Sequence, residues 1–481
     1  MKYLEPAAVW EFFHDINQIP RPSKKEERMI AYLEAFAARH ELEIKTDKTG
    51  NTLICKPATP GYENRKKIIL QSHMDMVCEK NSDVSFNFET DAIQAYVDGD
   101  WVKARGTTLG ADNGIGMSMM LAVLASTGLK HPAIECLFTV DEETGLTGAF
   151  ALERDFLIGE VLINLDSEDD GEIFVGCAGG IDTTARMAYT PEKTPEGYFG
   201  FSVSVKGLKG GHSGDDINKG RGNANKILNR FLWNVNRKMD LRLGTFDGGN
   251  LRNAIPREAI AVGCVPYAEK ENLRVMFNIY ISDLEAEILP TEPDLRLTLE
   301  SESLSPMVLD KKSSDALLNV LYACPHGVKA MSRDMPGLVE TSTNLASVKM
   351  KEGNEILITT SQRSSVETAK YDTAYQVESV LLLAGATVTH GDGYPGWKPN
   401  LKSAILETTK TSYRNLFGEE PKIRAIHAGL ECGLFLEKYP HLDMVSFGPQ
   451  MHDVHSPDER LSISSTQKCW KWLVEVLQSH L

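Results

Sequence analysis

The sequence predicts an α/β fold, a mostly parallel sheet with helices on both faces, interrupted by an α+β domain built on an antiparallel sheet. Three observations carry this. At 481 residues the chain is too long for one ordinary core, so two domains are expected. In its first third, short apolar runs at 67–72, 134–140 and 161–165 alternate with helical stretches, and strand–helix alternation builds parallel sheets. From about Thr183 the strands turn amphipathic, as in Phe201-Ser202-Val203-Ser204-Val205, which suits an antiparallel sheet with one covered face. The expected boundaries are 1–182 and 391–481 for the first domain and 183–390 for the insert. Tyr394-Pro395-Gly396-Trp397-Lys398-Pro399 reads as the re-entry loop.

Taken in order, residues up to about Ala37 read as helical, with Met29, Leu33 and Phe36 at helical spacing. Residues 42–44 and 51–55 alternate as strands around the Lys48-Thr49-Gly50 turn. The run at 67–72 ends in His73-Met74-Asp75. A loop holding Gly106, Gly110, Gly114 and Gly116 leads into a buried helix over 117–127, and its glycines imply close approach of backbone to something bound. The strand at 134–140 runs into three consecutive acids, Asp141-Glu142-Glu143, and a helix is expected near 148–157. The strand at 161–165 ends at Asp166. In the insert, a helix over 223–235 and strands at 259–262 and 355–359 are expected; a helix at 403–417 and a strand at 443–448 follow it.

Hydrophobic content of 42% and charged content of 25% are ordinary for soluble globular protein. A formal charge of −16 argues against nucleic acid or an anionic membrane as partner, since both select a basic face. No run approaches ~20 apolar residues and the opening lacks a signal-peptide pattern, so a cytoplasmic protein is expected. The eight cysteines are scattered singly, as reduced thiols would be; Cys432 as a nucleophile is the alternative.

In parallel sheets, functional groups collect beyond the carboxyl ends of the strands. His73, Glu142, Glu143 and Asp166 all stand there, and Asp112 stands at a helix start. Three adjacent carboxylates repel and raise one another's pKa unless a cation sits among them, although a solvated turn would also explain the triplet. His73 and Asp75, two apart on an extended chain, point the same way, as a metal ligand and its orienting carboxylate do. With His455 from the C-terminal loop, the set of two histidines and three carboxylates suits a pair of zinc ions sharing Asp112. His452 competes with His455 for this place. Glu142, beside Glu143 but on the other side of the chain, is left as general base.

These residues carry a resemblance. His73-x-Asp75, Gly110-Ala111-Asp112-Asn113-Gly114, Asp141-Glu142-Glu143-Thr144-Gly145, Asp166-Ser167-Glu168 and His455-Ser456-Pro457-Asp458-Glu459 resemble the di-zinc metallopeptidases related to aminoacylase and carboxypeptidase G. Within them, Gly207-Leu208-Lys209-Gly210-Gly211-His212-Ser213-Gly214 and His427-Ala428-Gly429-Leu430-Glu431-Cys432-Gly433 resemble the aminoacyl-histidine (Xaa-His, carnosinase-like) dipeptidases, over nearly the whole chain. The resemblance implies one metal on Asp112, Glu143 and His455 and another on Asp112, His73 and Asp166, two Zn²⁺ per chain with Mn²⁺ or Co²⁺ as substitutes. It implies that Asp75 orients His73 and that Glu142 is the base acting on a metal-bridging water. The insert becomes a lid on a zinc-peptidase-like catalytic domain, with His212 stabilising the oxyanion, Arg363 gripping the substrate's carboxylate, and Asn253 lining the same cleft. His212 as a plain turn residue and Arg363 as a surface ion-pair partner stay open on the residues alone. The implied function is hydrolysis of dipeptides, Xaa-His and a broader range of unblocked ones, by a protein whose lids pair in a homodimer. An acyl-amino-acid hydrolase or a catalytically silent binding protein are the alternatives. Ser72 departs from the family pattern, which has a small residue such as alanine there, and so does the loop holding His452.

Overall fold

The computed structural model describes residues 3–479 and divides into two compact units, each with its own sheet. The first comprises the chain up to Gly176, Pro399–Ala425 and from Leu430 onward; the second comprises Cys177–Lys398 and Ile426–Gly429.

The first unit holds an eight-stranded sheet whose four middle strands are parallel, in the order Ile134–Thr139, Ile68–His73, Val161–Asn164, Asp443–Ser446. Antiparallel strands flank them, Thr52–Lys56 and Glu43–Thr46 on one margin and Glu172–Cys177 on the other. Ile68, Ile69 and Leu70 are all buried, as expected where helices cover both faces of a strand and leave no side for polar residues. The register sets His73 opposite Thr139 and Gln71 opposite Asn164, so the ends of these strands form one shelf. The buried helix Ala111–Ala125 packs on the Ile68–His73 strand and against the helix Ala7–Asn17. A small four-stranded sheet pairs Met451–His452 with Arg460–Ser462, and the latter with Trp101–Ala104. The turn between the first two carries His455.

Two expectations need correction here. The N-terminal helical stretch is two helices, Ala7–Asn17 and Glu27–Arg39, because Pro20 and Pro22 in between cannot continue one. Of the helix expected near 148–157 only the short piece Thr147–Ala151 forms; a single turn, Glu142–Gly145, precedes it, with Leu146 between them in the left-handed region at φ 55°.

The second unit is built on an antiparallel sheet in the order Arg296–Ser301, Tyr198–Lys206, Ala259–Pro266, Arg242–Gly248, Val339–Lys351, Glu355–Ser364, Gly179–Ala188, Thr387–His390. Phe201, Val203 and Val205 turn one face inward, where they meet Leu228, Phe231 and Leu232 of the helix Ala224–Asn236. The unit begins at Cys177 rather than Thr183 because the Gly179–Ala188 strand is a full member of this sheet. It runs on past His390 because Tyr394 and Trp397 bridge to Gly180 and Cys177.

Candidate active site

On the shelf of the first unit, Asp112 joins two histidines. Its Oδ1 lies 3.1 Å from His73 Nε2 and its Oδ2 lies 3.0 Å from His455 Nε2. Each histidine meets a further carboxylate: Asp166 Oδ1 is 3.3 Å from His73 Nε2, and Glu143 Oε2 is 3.1 Å from His455 Nε2. His455 thus occupies the cluster. His452 is exposed, and its ring lies against Trp101, centroids 5.4 Å apart.

The local structure explains why these groups converge. His73 ends a buried strand and Asp166 follows another, so parallel pairing brings both to one edge. Asp112 stands at the start of the buried helix but keeps extended angles, φ −80° and ψ 109°. Glu143 is the second residue of the short helix Glu142–Gly145, which follows Asp141, itself left-handed at φ 51° and held by the Thr144 and Thr147 hydroxyls. Asp75 is wholly buried: Ser23 Oγ donates to its Oδ2 at 2.7 Å, and the backbone N–H groups of Glu142 and Glu143 donate to Oδ1 and Oδ2 at 3.0 and 3.2 Å. Its Oδ1 lies 3.4 Å from His73 Nδ1. One carboxylate therefore orients both His73 and the acidic turn.

The electrostatics are those of a cation site. Burial pushes the Asp166 carboxyl up to about 7 against the pull of His73, with Asp112 and Glu143 adding to the rise. Burial likewise lifts Glu142 well above the ordinary carboxylate range, His73 opposing and Asp166 and Glu431 adding. Hydrogen bonds to Asp112 and Glu143 raise His455 to about 11. Asp75 goes the other way: burial raises it, but the His73 hydrogen bond and charge outweigh burial and hold it at about 2. Among the described residues Glu143 Oε1 and Asp166 Oδ1 are buried without a hydrogen-bond partner, although Asp166 Oδ1 lies 3.3 Å from His73 Nε2. A buried carboxylate oxygen left unpaired is costly unless a cation takes it. His73, Asp112 and Glu143 present ligand atoms all within 4.8 Å of one another. With Asp166 and His455 the donor set fits two divalent ions sharing Asp112, with oxygen and imidazole ligands of the kind zinc accepts.

The glycines on either side of Asp112 serve a different purpose from the one expected. A Cβ on Gly110 or Gly114 would lie 2.6 or 2.7 Å from Arg21 Nη2, and one on Gly116 would lie 2.4 Å from Ser72 Oγ. What approaches this backbone is the protein's own Arg21 and Ser72.

The second unit carries its own polar cluster. Arg363, nearly buried, donates through Nη1 to the Tyr394 hydroxyl at 2.9 Å and through Nε to Ser213 Oγ at 3.3 Å, and its Nη2 lies 3.4 Å from His212 Nε2. His427 Nε2 is 2.7 Å from Ser342 Oγ. Asn253 is exposed, and its carbonyl accepts the Ser213 N–H at 2.8 Å. Tyr394 was legible only as part of a re-entry loop. A Cβ on Gly180 or Gly429 would press its ring at 2.7 or 2.8 Å, so these two glycines make room for it.

Sequence reasoning also missed Arg21 and Glu431. Glu431 is buried and accepts from Gln71 Nε2 at 2.6 Å and Thr139 Oγ1 at 2.9 Å. Its neighbour Cys432 is wholly buried. A lone glutamate on a helix start gives no signal, whereas Arg21 between two prolines was the one clue to a built loop.

The profile of Peptidase family M20/M25/M40 matches residues 69–479. The cytosol non-specific dipeptidase of Escherichia coli (strain K12) is 45% identical over 478 residues, which cover 99% of this chain and 98% of that one. The solved aminoacylhistidine dipeptidase of Vibrio alginolyticus is 45% identical, with a TM-score of 0.94 over 100% of this chain and 98% of that one. A tripeptidase from Staphylococcus aureus, 17% identical with a TM-score of 0.58 over 99% of this chain and 98% of that one, shares the fold. The chain belongs to Peptidase family M20/M25/M40.

Proposed function

We propose that this peptidase is a cytosolic metallo-dipeptidase that hydrolyses Xaa-His and other unblocked dipeptides. The observation that carries the reading is Asp112, whose two carboxylate oxygens face His73 and His455 separately. Two relatives at 45% identity, a cytosol non-specific dipeptidase and an aminoacylhistidine dipeptidase, support the substrate class. Among the described residues no helix is long and apolar enough to cross a membrane.

Asp112, Glu143 and His455 would hold one divalent ion, and Asp112, His73 and Asp166 the other; zinc suits these donors, with manganese or cobalt as substitutes. Such a pair, when bound, supplies Lewis acidity and makes water acidic enough to attack at neutral pH. Glu142 takes the proton of the attacking water and delivers it to the departing amine as the carbon–nitrogen bond breaks. A carboxyl already lifted by burial suits both halves of that task. Asp75 keeps His73 oriented. In the second unit, His212 donates to the oxyanion, and Arg363 binds the dipeptide's terminal carboxylate with its two-pronged donor face, with Asn253 beside it.

The test is amino-acid release from β-alanyl-histidine and several α-dipeptides by metal-stripped protein, with and without added zinc, beside Glu142→Gln. Metal-dependent cleavage that falls in the variant by roughly 10²–10⁴, the usual worth of a general base, supports the reading. Turnover of acylated amino acids alone assigns the chain to deacylation, and binding of dipeptides without turnover assigns it a binding role.

A further inference from the structure

The geometry points to Arg21 and Glu459 as a pair of positioning residues that set how tightly the metal pair is held, an inference resting on the metal-dependent reading above. Neither is a ligand. Glu459 is 2% exposed and gives its two carboxylate oxygens to four successive backbone N–H groups. Oε2 accepts from Leu109 at 2.6 Å and Gly110 at 3.0 Å, and Oε1 accepts from Ala111 at 2.8 Å and Asp112 at 3.3 Å. It belongs to the same turn as His455. One side chain therefore ties the segment bearing His455 to the segment bearing Asp112.

Arg21, 1% exposed, makes the corresponding tie to His73. Its Nη1 donates to the carbonyls of Met74 at 3.0 Å and Asp75 at 2.7 Å, just past His73. Its Nη2 donates to the Gly110 carbonyl at 2.5 Å, in the loop that Glu459 holds from the N–H side. Gly110 and Gly114 supply the space for the guanidinium, and no side chain fits at either position without displacing it. Three chain segments, around residues 73, 112 and 455, are thus locked together by two buried charges whose bonds run to backbone. A buried charge is costly to place, and here its hydrogen bonds hold the ligand-bearing backbones in register. Holding ligands in place before binding removes an ordering cost that metal binding would otherwise carry. Changes to such supporting groups ordinarily weaken metal affinity by about 10–100-fold.

The experiment uses the full chain, stripped of metal and titrated with zinc against a chromophoric chelator, as parent, Glu459→Gln and Arg21→Lys. Thermal unfolding of each metal-free protein is followed in parallel. The expected result is two zinc ions in the parent and a loss of affinity of roughly ten-fold or more in each variant, with metal-free midpoints close to the parent's. Two zinc ions held at parental affinity in the variants overturns the inference, as does an affinity loss that merely tracks a collapse of the metal-free fold. Should Glu459→Gln fail to fold, Arg21→Lys decides, since it keeps the charge and loses only the fork. A parent that binds no zinc pair overturns the metal-dependent reading itself, which is a separate outcome.

Discussion

At the scale of single residues, the division of labour among acids follows from what each one touches. Asp75 accepts one hydroxyl and two backbone N–H groups and stays charged; Glu142 is half-buried with no hydrogen bond to its carboxylate among the described residues and is pushed toward its neutral form. The same logic applies to Arg363. If it binds the substrate's carboxylate, Arg363→Lys keeps the charge but loses the planar fork, and steady-state kinetics should show KM rising about ten-fold with a smaller change in kcat. An equal fall in kcat and kcat/KM would place the residue in the transition state instead. Away from the site, His326 Nδ1 accepts from Asn223 Nδ2 at 3.3 Å and from the Leu345 N–H at 3.4 Å. Burial, with Lys226 nearby, holds its imidazole at about 4, below the ordinary 6.5. Between those values the unfolded chain binds a proton that the folded chain refuses. Its stabilising contribution is therefore intact above the unfolded pKa and is lost as pH falls toward about 4. Denaturant midpoints at pH 7 and pH 5 should differ less in His326→Asn than in the parent; an unchanged difference would remove His326 from the account.

At the scale of elements, the helices that frame the shelf are tied down at their starts by distant residues. The Ser403 hydroxyl donates to Asp443, and the N–H groups of Ala404 and Ile405 donate to Asp443 Oδ2 at 2.9 and 3.1 Å. Asp443 opens a central parallel strand, so one carboxylate caps the helix Ala404–Phe417 and pins it to the sheet. Asp443→Ala should cost about 1–2 kcal/mol in equilibrium unfolding, the upper end of a cap because the charge also meets the helix dipole. A change below about 0.5 kcal/mol would show the cap to be replaceable by water. The helix Ala111–Ala125 needs no such device along its length. It is apolar all round and buried over nearly its whole surface, as a central helix against a parallel sheet must be.

At the scale of the whole molecule, every proposed ligand lies in the first unit, while the second has a separate core around Phe201, Phe231 and Phe246. Ligands that bind only the folded state stabilise it by mass action. Calorimetry of metal-stripped protein should therefore show a lowered transition for the first unit, restored by zinc, and a second transition that moves little. A single transition that shifts as one would mean that the two units unfold together.

The sequence by itself determined the fold class and the identity of the cluster, because strand and helix periodicities are local and polar residues at the ends of apolar runs can be read without knowing what packs where. His73, Asp112, Glu143 and Asp166 were legible for that reason, and so was the change of sheet type after the first unit. The Ser456-Pro457-Asp458-Glu459 that follows His455 favours it over His452 in the sequence; only the tertiary structure shows which neighbour each of the two reaches, Asp112 for His455 and Trp101 for His452. It alone showed that the glycines near Asp112 accommodate Arg21, and that Tyr394 and Ser213 hold Arg363. Those relations join segments tens to hundreds of residues apart, and their specificity lies in hydrogen-bond geometry and packing, which no local pattern encodes.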